Sequence, residues 1–405
     1  VRVLRDLPPE VRALAGVAFM VALGFGLVAP ALPLFAREFG VGRAAAGAVV
    51  SAFALMRLVM APFVGRLVNA FGERVLLAAG IGVVAVSSAL AGLAQSYWQL
   101  LVLRGAGGIG SIMFSVSAAS LLVRVTPSHL RGRAQGVWAG AFLIGLVAGP
   151  AVGTVASFSL RLPFFLYAGT LVIAGLLGLG ALRHSELAAR QSDRSDPLAL
   201  AVALRNRAYL AALAAAFAGD FALVGARSAM VPLYVRDALH LSAGWAYAAF
   251  LIVSVVSGAL LLPTGKVADT IGRRPVIVVG LLVGALAFLL LPTLPAIAGL
   301  VTATVLIGVS AASDAVAPGA VMGDVVVGKG GTVVAVFQMA GDLGLVLGPV
   351  VTGLVADAAG YSPAFVVCAV VCVLPVFAAL AAPETLLRAE SGSSATVKDP
   401  AQDAT

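Results

Sequence analysis

Twelve predominantly apolar runs, each about 20 residues or longer, constrain this chain more than anything else in it. They cover residues 12–36, 43–66, 75–95, 97–123, 134–157, 162–182, 208–235, 242–264, 275–295, 296–323, 331–356 and 361–382. A helix needs ~20 apolar residues to cross a bilayer, so twelve helices of ~22 residues would occupy ~264 residues, about two-thirds of the chain. Composition agrees, with 61% hydrophobic and 11% charged residues. Soluble domains are about half apolar and about a quarter charged. A soluble fold this apolar would expose large patches and aggregate. Disorder needs low hydrophobicity and high charge, and a membrane barrel shows short alternating segments in place of continuous runs. The expected class is an all-α polytopic membrane protein. The first run is read as a span and not as a cleaved signal, because it is long and a second run follows after a short turn.

The longest polar stretch between runs, residues 183–207, separates two sets of six. The expected organisation is a six-helix bundle over 1–182, a cytoplasmic linker over 183–207, a second bundle over 208–382 and a disordered cytoplasmic tail over 383–405. With the N-terminus inside, 19 Lys and Arg residues fall in inner segments, 4 in outer segments (Arg37, Arg43, Arg161 and Arg236) and 3 within spans, out of 26. That bias places both termini in the cytoplasm. The net charge of +8 then reports topology and not nucleic-acid binding, since the basic residues are dispersed over seven segments. Cys368 and Cys372, four apart in the last run, read as small apolar helix residues sooner than as a redox pair. His129, His184 and His240 fall in loops without metal-ligand spacing, so no metal is expected.

The two sets of six repeat. PLFARE at 33–38 aligns with PLYVRD at 232–237, GRLVNAFGER at 65–74 with GKVADTIGRR at 265–274, and AGPAVG at 148–153 with LGPVVT at 347–352, all at an offset of 199 or 200. Six crossings per copy keep the two copies in one orientation, the parallel-repeat arrangement of transporters. Glycines allow a tight turn between the second and third spans, and basic residues hold that turn at the inner face.

These residues resemble the Major Facilitator Superfamily over nearly the whole chain. The family's loop signature, roughly G-x-x-x-D-[RK]-x-G-[RK]-[RK], is matched by Gly265, Asp269, Gly272, Arg273 and Arg274, with Thr270 departing. The first copy keeps Gly65, Gly72 and Arg74, while Asn69 replaces the acid, Ala70 the first basic residue and Glu73 another. In the family the acid latches the second helix to the neighbouring half, and with Asn69 that latch is expected to be weaker. The resemblance implies two pseudo-symmetric six-helix bundles, the major facilitator fold.

The fifth run contains Gly145, Gly149, Pro150 and Gly153. Glycines four apart make a smooth face for close helix approach, and proline bends a helix. The pattern resembles the antiporter signature of proton-coupled exporters. It implies a rocking face against the eighth helix, repeated in the eleventh run by Gly341, Gly344, Gly348, Pro349 and Gly353; generic membrane-helix packing is the plainer reading. Arg104, Gly108 and Gly110 resemble the family's R-x-x-x-G-x-G pattern, which is linked to proton transfer. GAGGIG is no nucleotide site, since no strand precedes it.

Ionisable residues deep in a membrane are costly and should be paired or cavity-facing. Six fall here: Arg57, Arg104, Asp220, Arg227, Asp314 and Asp342. Proton coupling needs a carboxylate that titrates near neutral pH, which burial and neighbouring charge set. By the family's rule that the first, fourth, seventh and tenth helices line the cavity, Asp220, Asp314 and Arg104 are the coupling candidates. Arg227 is a cavity residue, expected on the same helix face as Asp220 two turns away. Arg57 and Asp342, on interface helices, are read as gate partners. Structural ion pairs remain the alternative for each. Phe25, Met113, Phe114, Phe142, Tyr247, Phe250, Phe337 and Gln338 are collectively candidates for an adaptable amphipathic pocket, although any one such residue more often packs or faces lipid.

The expected function is a plasma-membrane exporter of small amphipathic or drug-like molecules in exchange for protons, working as a monomer by alternating access. The alternative is a symporter or facilitator for a sugar, organic acid or other small metabolite. No P-loop, HExxH or GxSxG motif is present, so neither ATP drive nor enzyme activity is expected. A proton gradient supplies the energy, with no cofactor.

Overall fold

The computed structural model describes residues 7–127, 130–155, 157–181, 197–325 and 331–386. Among them, twelve long helices are apolar enough to cross a membrane. They are α1 (Pro9–Arg37), α2 (Arg43–Phe71), α3 (Glu73–Gly92), α4 (Tyr97–Val125), α5 (Arg131–Val155) and α6 (Leu162–Ala181) in the first half. The second half has α7 (Arg207–Asp237), α8 (Ala243–Thr270), α9 (Arg273–Leu290), α10 (Ala296–Val325), α11 (Gly331–Ala359) and α12 (Tyr361–Ala381). A short helix, Pro197–Ala203, precedes α7. Residue 182, most of the expected linker (183–196) and most of the expected tail (387–405) lie outside the described residues.

Each half packs in the same pattern. α1 lies against α5 and α6, α3 against α4 and α6, and α2 against α4; α7 lies against α11 and α12, α9 against α10 and α12, and α8 against α10. Between halves, α2 meets α11 and α5 meets α8. Lipid tails are as apolar as leucine, so burial does not drive helices together in a bilayer, and close packing of small residues must do so. The backbone of Gly80 in α3 nests against Gly110 and Phe114 of α4, while Gly280 of α9 meets Ser313 of α10. The Ser310 hydroxyl donates to the Gly280 carbonyl at 2.7 Å. Large side chains such as Phe35, Phe164, Phe288 and Phe365 fill each bundle's interior, whereas Val155, Leu176, Leu262 and Phe377 face outward.

The helix pairs α2–α3 and α8–α9 turn through Gly72 (φ 83°) and Gly272 (φ 136°). Both are in the region that favours glycine, so a side chain at either position would strain the turn. These turns mark one end of the bundle, the signature end. At the far end the halves press together. A Cβ on Gly47 of α2 would meet the Pro349 carbonyl at 2.5 Å, and one on Gly353 would meet Ala44 at 2.6 Å. At the signature end, Gly65 of α2, Gly136 and Gly140 of α5, and Gly265 of α8 have open space beside them. The interface helices therefore meet at the far end and part toward the signature end.

α7 is not a uniform helix. Residues Asp220–Ala226 wind as a π-helix between α-helical halves. Such wide turns concentrate at functional sites.

Candidate functional site

The three mid-membrane acids are strung across the second half and end on a base from the first. Asp314 of α10 sits directly against the backbone of Gly219 in α7, leaving no room for a side chain there. It lines a small cavity of about 10 Å³ with Ala215, Ile277, Gly280, Leu281, Ser310, Ser313 and Pro318, space for one water at most. The Asp220 carboxylate lies against Gly341 of α11, where a Cβ would force the carboxylate oxygen aside. The next residue, Asp342, pairs with Arg57 of α2 at 3.6 Å. Arg57 also donates to the Ser111 hydroxyl of α4 at 3.0 Å. Asp220 is within electrostatic reach of Asp314, Asp342 and Arg57. Among the described residues no Lys, Arg or His lies within 4.0 Å of Asp220 or Asp314.

The other two intramembrane arginines are held by aromatic faces. Arg104 lies 4.6 Å from the Phe53 ring centroid and is 5% exposed, with its Nε unbonded. Arg227 lies 4.4 Å from the Phe250 centroid, and its Nε donates to the Leu223 carbonyl one turn back. A guanidinium over a ring gains attraction without an acid partner, more so when desolvated. The expected common face for Asp220 and Arg227 is not found. The π-helical turns between them break the seven-residue register, so Asp220 faces α11 and Arg227 faces α8.

Several pocket candidates are packing residues. Tyr247 is fully buried against Gly153, Phe250 lies under Arg227, and Phe114 is buried beside Gly80. Met113 packs against the α3–α4 joint, Phe337 is half-buried within the second bundle, and Phe25 is paired with Phe53 at 6.4 Å. Phe142, half-buried and stacked on Trp138 at 5.8 Å, and the exposed Gln338 remain open to the space between halves or to lipid.

The glycine face of α5 also has a different partner from the one expected. Gly145 and Gly149 lie against α1, at Phe19, Ala22, Leu23 and Gly26, and Pro150 rests on Gly26. Within the stripe, Gly153 is the residue that meets α8, through Tyr247. The second half repeats this joint: Gly344 and Gly348 pack on Phe217 and Phe221 of α7, and Pro349 rests on Gly225. Gly26 and Gly225 are themselves 199 apart. The stripe thus joins helices within each half over most of its length, because α1 and α7 present backbones bare enough to approach it. It meets the other half at the far end, through Gly153 on Tyr247 and through Pro349 and Gly353 on Gly47 and Ala44.

The loop signatures are anchored within their own halves. Arg273 pairs with Asp269 and with Asp324 of α10, both at 3.1 Å. The backbone N–H groups of Arg273 and Arg274 donate to Glu384, at 2.9 and 3.0 Å, and the Arg274 side chain donates to the Ala382 carbonyl at 3.4 Å. Burial pushes the Glu384 carboxyl up, but the N–H groups of Leu386, Arg273, Arg274 and Thr385 outweigh it and hold the group below the ordinary carboxylate range. The Asn69 side chain lies outside the described set, and Arg74 sits on the first turn of α3.

One pair was not anticipated. Glu73 is buried and bonds Arg124 at 3.0 Å and Ser120 at 2.9 Å. Residues 73 and 124 correspond to 273 and 324 at the repeat offset of 200. Both halves therefore carry an ion pair at the same place, with the signs exchanged. The repeat offset, applied to those positions, is the signal that would have found it.

A fold of two like six-helix bundles, joined at mid-membrane by the Arg57–Asp342 pair, defines a class of multi-pass membrane proteins. Comparison with known proteins makes the class specific. Residues 14–260 and 228–401 match the model of the Major Facilitator Superfamily, and the chain belongs to that family. It is 31% identical over 169 residues to Multidrug resistance protein 1 of Bacillus subtilis (strain 168), covering 42% of this chain and 43% of that protein, so the match spans under half of that relative. It is 29% identical over 285 residues to Multidrug resistance protein MdtG of Salmonella choleraesuis (strain SC-B67), covering 68% and 70%. Its fold is that of a bacterial homologue of the human lysosomal transporter Spinster in an inward-facing, unoccupied conformation, with a TM-score of 0.77, 15% identity, and 92% and 96% of the two chains covered.

Proposed function

We propose that this protein exports small amphipathic or drug-like molecules across the plasma membrane in exchange for protons, by alternating access. The observation that carries the reading is the acid string Asp314–Asp220–Asp342 ending on Arg57. Two of the acids have no basic partner among the described residues, and the third is tied to the opposite half. Protonation inside the second bundle would thus bear on an ion pair that spans the halves, which is what coupling a gradient to rocking requires. The names of the multidrug-resistance relatives support the substrate class. Both termini are assigned to the cytoplasm by the positive-inside rule, which makes the signature end cytoplasmic and this state open to the inside. The carrier works as a monomer, is not an enzyme, binds no nucleic acid and needs no cofactor; protons moving down 100 mV supply ~2.3 kcal/mol each. Asp220 and Asp314 are the coupling groups, and Arg104 is assigned to proton transfer by its resemblance to the family's R-x-x-x-G-x-G pattern.

The test is proton flux in proteoliposomes with a pH dye, challenged by cationic, neutral and anionic amphiphiles. Substrate-evoked proton movement is expected, and Asp220→Asn or Asp314→Asn should abolish it while downhill substrate flux persists. Full pH-driven efflux in both variants removes them as coupling sites. Substrate equilibration with no proton response points to the alternative, a facilitator for a small metabolite.

A further inference from the structure

The far end of the molecule carries a set of bonds between halves that the coupling scheme does not use. α2 begins at Gly42 and Arg43, and Gly42 offers no capping side chain of its own. The first N–H groups of a helix need acceptors. Here they come from the other half: the Asp357 carboxylate of α11 accepts from Arg43 N–H at 2.8 Å and Ala44 N–H at 2.9 Å. The Arg43 guanidinium donates to the Ala356 carbonyl at 2.9 Å, lies 4.6 Å from the Tyr361 ring centroid and is 3.7 Å from Asp237. Asp237 also accepts from the Tyr361 hydroxyl at 2.7 Å and lies 3.6 Å from Arg37.

The repeat supplies the comparison. At the offset of 199 that aligns α5 with α11, position 357 corresponds to Phe158, an exposed side chain with no acceptor, and α2 corresponds to α8. Ser157 lies beside Gly244 at the start of α8, but its hydroxyl donates to the Thr154 carbonyl at 2.8 Å. Ser242, the N-cap residue of α8, makes no side-chain cap either. Among the described residues, one interface between halves is therefore pinned by an anion on a helix N-terminus and the other is not.

We infer that Asp357, by capping α2 across the interface and anchoring Arg43, is the latch that holds the far end closed, and that the α5–α8 side, lacking such an anion, is where the far end parts first. An anion at a helix N-terminus is favoured by the unsatisfied N–H groups and by the helix dipole. Moving α2 away from α11 exposes those groups without their acceptor, so the capping interaction exists in the closed state alone. A contact present in one state only shifts the equilibrium by its full differential strength.

The experiment is a distance measurement between spin labels at Glu38→Cys and Ala238→Cys, exposed far-end positions in opposite halves, in the full chain in nanodiscs with Cys368 and Cys372 replaced by alanine. It needs no substrate and no proton gradient, so it stands or falls apart from the transport reading. Asp357→Ala should raise the ratio of long-distance to short-distance populations about fivefold, the worth of one helix cap. Ser157→Asp, which adds the missing anion at α8, should lower the same ratio by a similar factor. High salt should raise the long-distance population in the parent more than in Asp357→Ala, because the bonds are exposed. If Asp357→Ala fails to fold, Asp357→Asn and Ser157→Asp carry the test. Distributions that stay at the parent ratio in the Asp357 variants overturn the latch; a Ser157→Asp ratio at or above the parent overturns the assignment of the looser side.

Discussion

The exchanged ion pair permits a test of whether the two halves still obey one structural rule. Glu73 is 2% exposed and Arg124 is 20% exposed in their side chains. The contact is bidentate, with a second bond at 3.3 Å. Removing one partner of a buried pair costs about 3–5 kcal/mol, chiefly because the survivor is left uncompensated. Arg124 keeps some water, which reduces the cost of Glu73→Gln to roughly 2–4 kcal/mol. For a unit the size of one half, each kcal/mol moves the melting temperature by about 2–4 °C, so the single substitution should lower Tm by roughly 4–16 °C. Glu73→Arg alone should be worse, since it faces Arg124. The double exchange Glu73→Arg with Arg124→Glu should recover most of the loss, because the second half already holds Arg273 and Asp324 in that polarity at 3.1 Å.

Recovery should fall short of complete for a specific reason. Residue 73 opens α3, where the helix dipole favours an acid by about 0.3–1 kcal/mol. In the second half the corresponding base, Arg273, opens α9, and Glu384 supplies the missing negative charge to the same N-terminus. The assay is thermal unfolding of purified protein in detergent, followed for the two singles and the double. A double variant no more stable than the sum of the single losses would show that the sites do not couple and would refute the exchanged-pair argument.

Two further outcomes can be checked with the same measurement. Gly149→Ala should destabilise by about 1–3 kcal/mol, as overpacking against Leu23 and Gly26 of α1 requires, whereas Gly140→Ala on the same helix, with open space beside it, should be neutral or slightly stabilising; equal effects would show that the stripe does not pack on α1. Glu384→Gln should lower stability at neutral pH. Because the folded carboxyl is held below its ordinary value of 4.5, the contribution is present above that value and is lost as pH falls through the folded one. The difference from the parent should thus be constant across about pH 5–8 and shrink only below about 4.5; a difference that vanished near neutrality would contradict the N–H cage around it.

Much of the architecture is legible in the apolar runs, because a bilayer demands both length and backbone satisfaction from every span. The runs locate the twelve helices to within a few residues. The main differences are extensions such as α8 to Thr270, where polar residues continue the helix beyond the apolar stretch, and α9, which ends at Leu290, short of the expected 295. The site is less legible. Glycine spacing announces a close approach but does not name the helix that approaches, so the α5 stripe could be assigned to α8 while its carbonyl partners lie on α1. A local π winding has no residue signature of its own, and α-helical arithmetic misplaces Arg227 relative to Asp220. Glu73, compared only with the family's loop pattern, looks like the loss of a basic residue. Compared with position 273 and read together with 124 and 324, it is the same contact with its polarity reversed.

What the two halves share and what they do not separates scaffold from function. The shared joints are steric: proline on glycine at Pro150–Gly26 and Pro349–Gly225, a glycine at 80 and 280 against the next helix, and an ion pair behind each loop signature. Such joints have to survive in both copies because each bundle must hold together alone while the halves move. The intramembrane charges obey no repeat. All three acids stand in the second half, Arg57 and Arg104 in the first, and Arg227 of the second half is tied to its own helix and to Phe250. On the proposed coupling, a protonation event would be confined to one bundle, while its electrostatic consequence would reach the other through Arg57. Had the acids been duplicated, each half would carry its own charge balance, and loss of a proton would change nothing across the interface. On the proposed coupling, asymmetric charge on a symmetric frame would give a titration inside one bundle leverage over the contact between two, and the cap at Asp357, found on one interface and not on its counterpart among the described residues, would give the resulting motion a side to begin from.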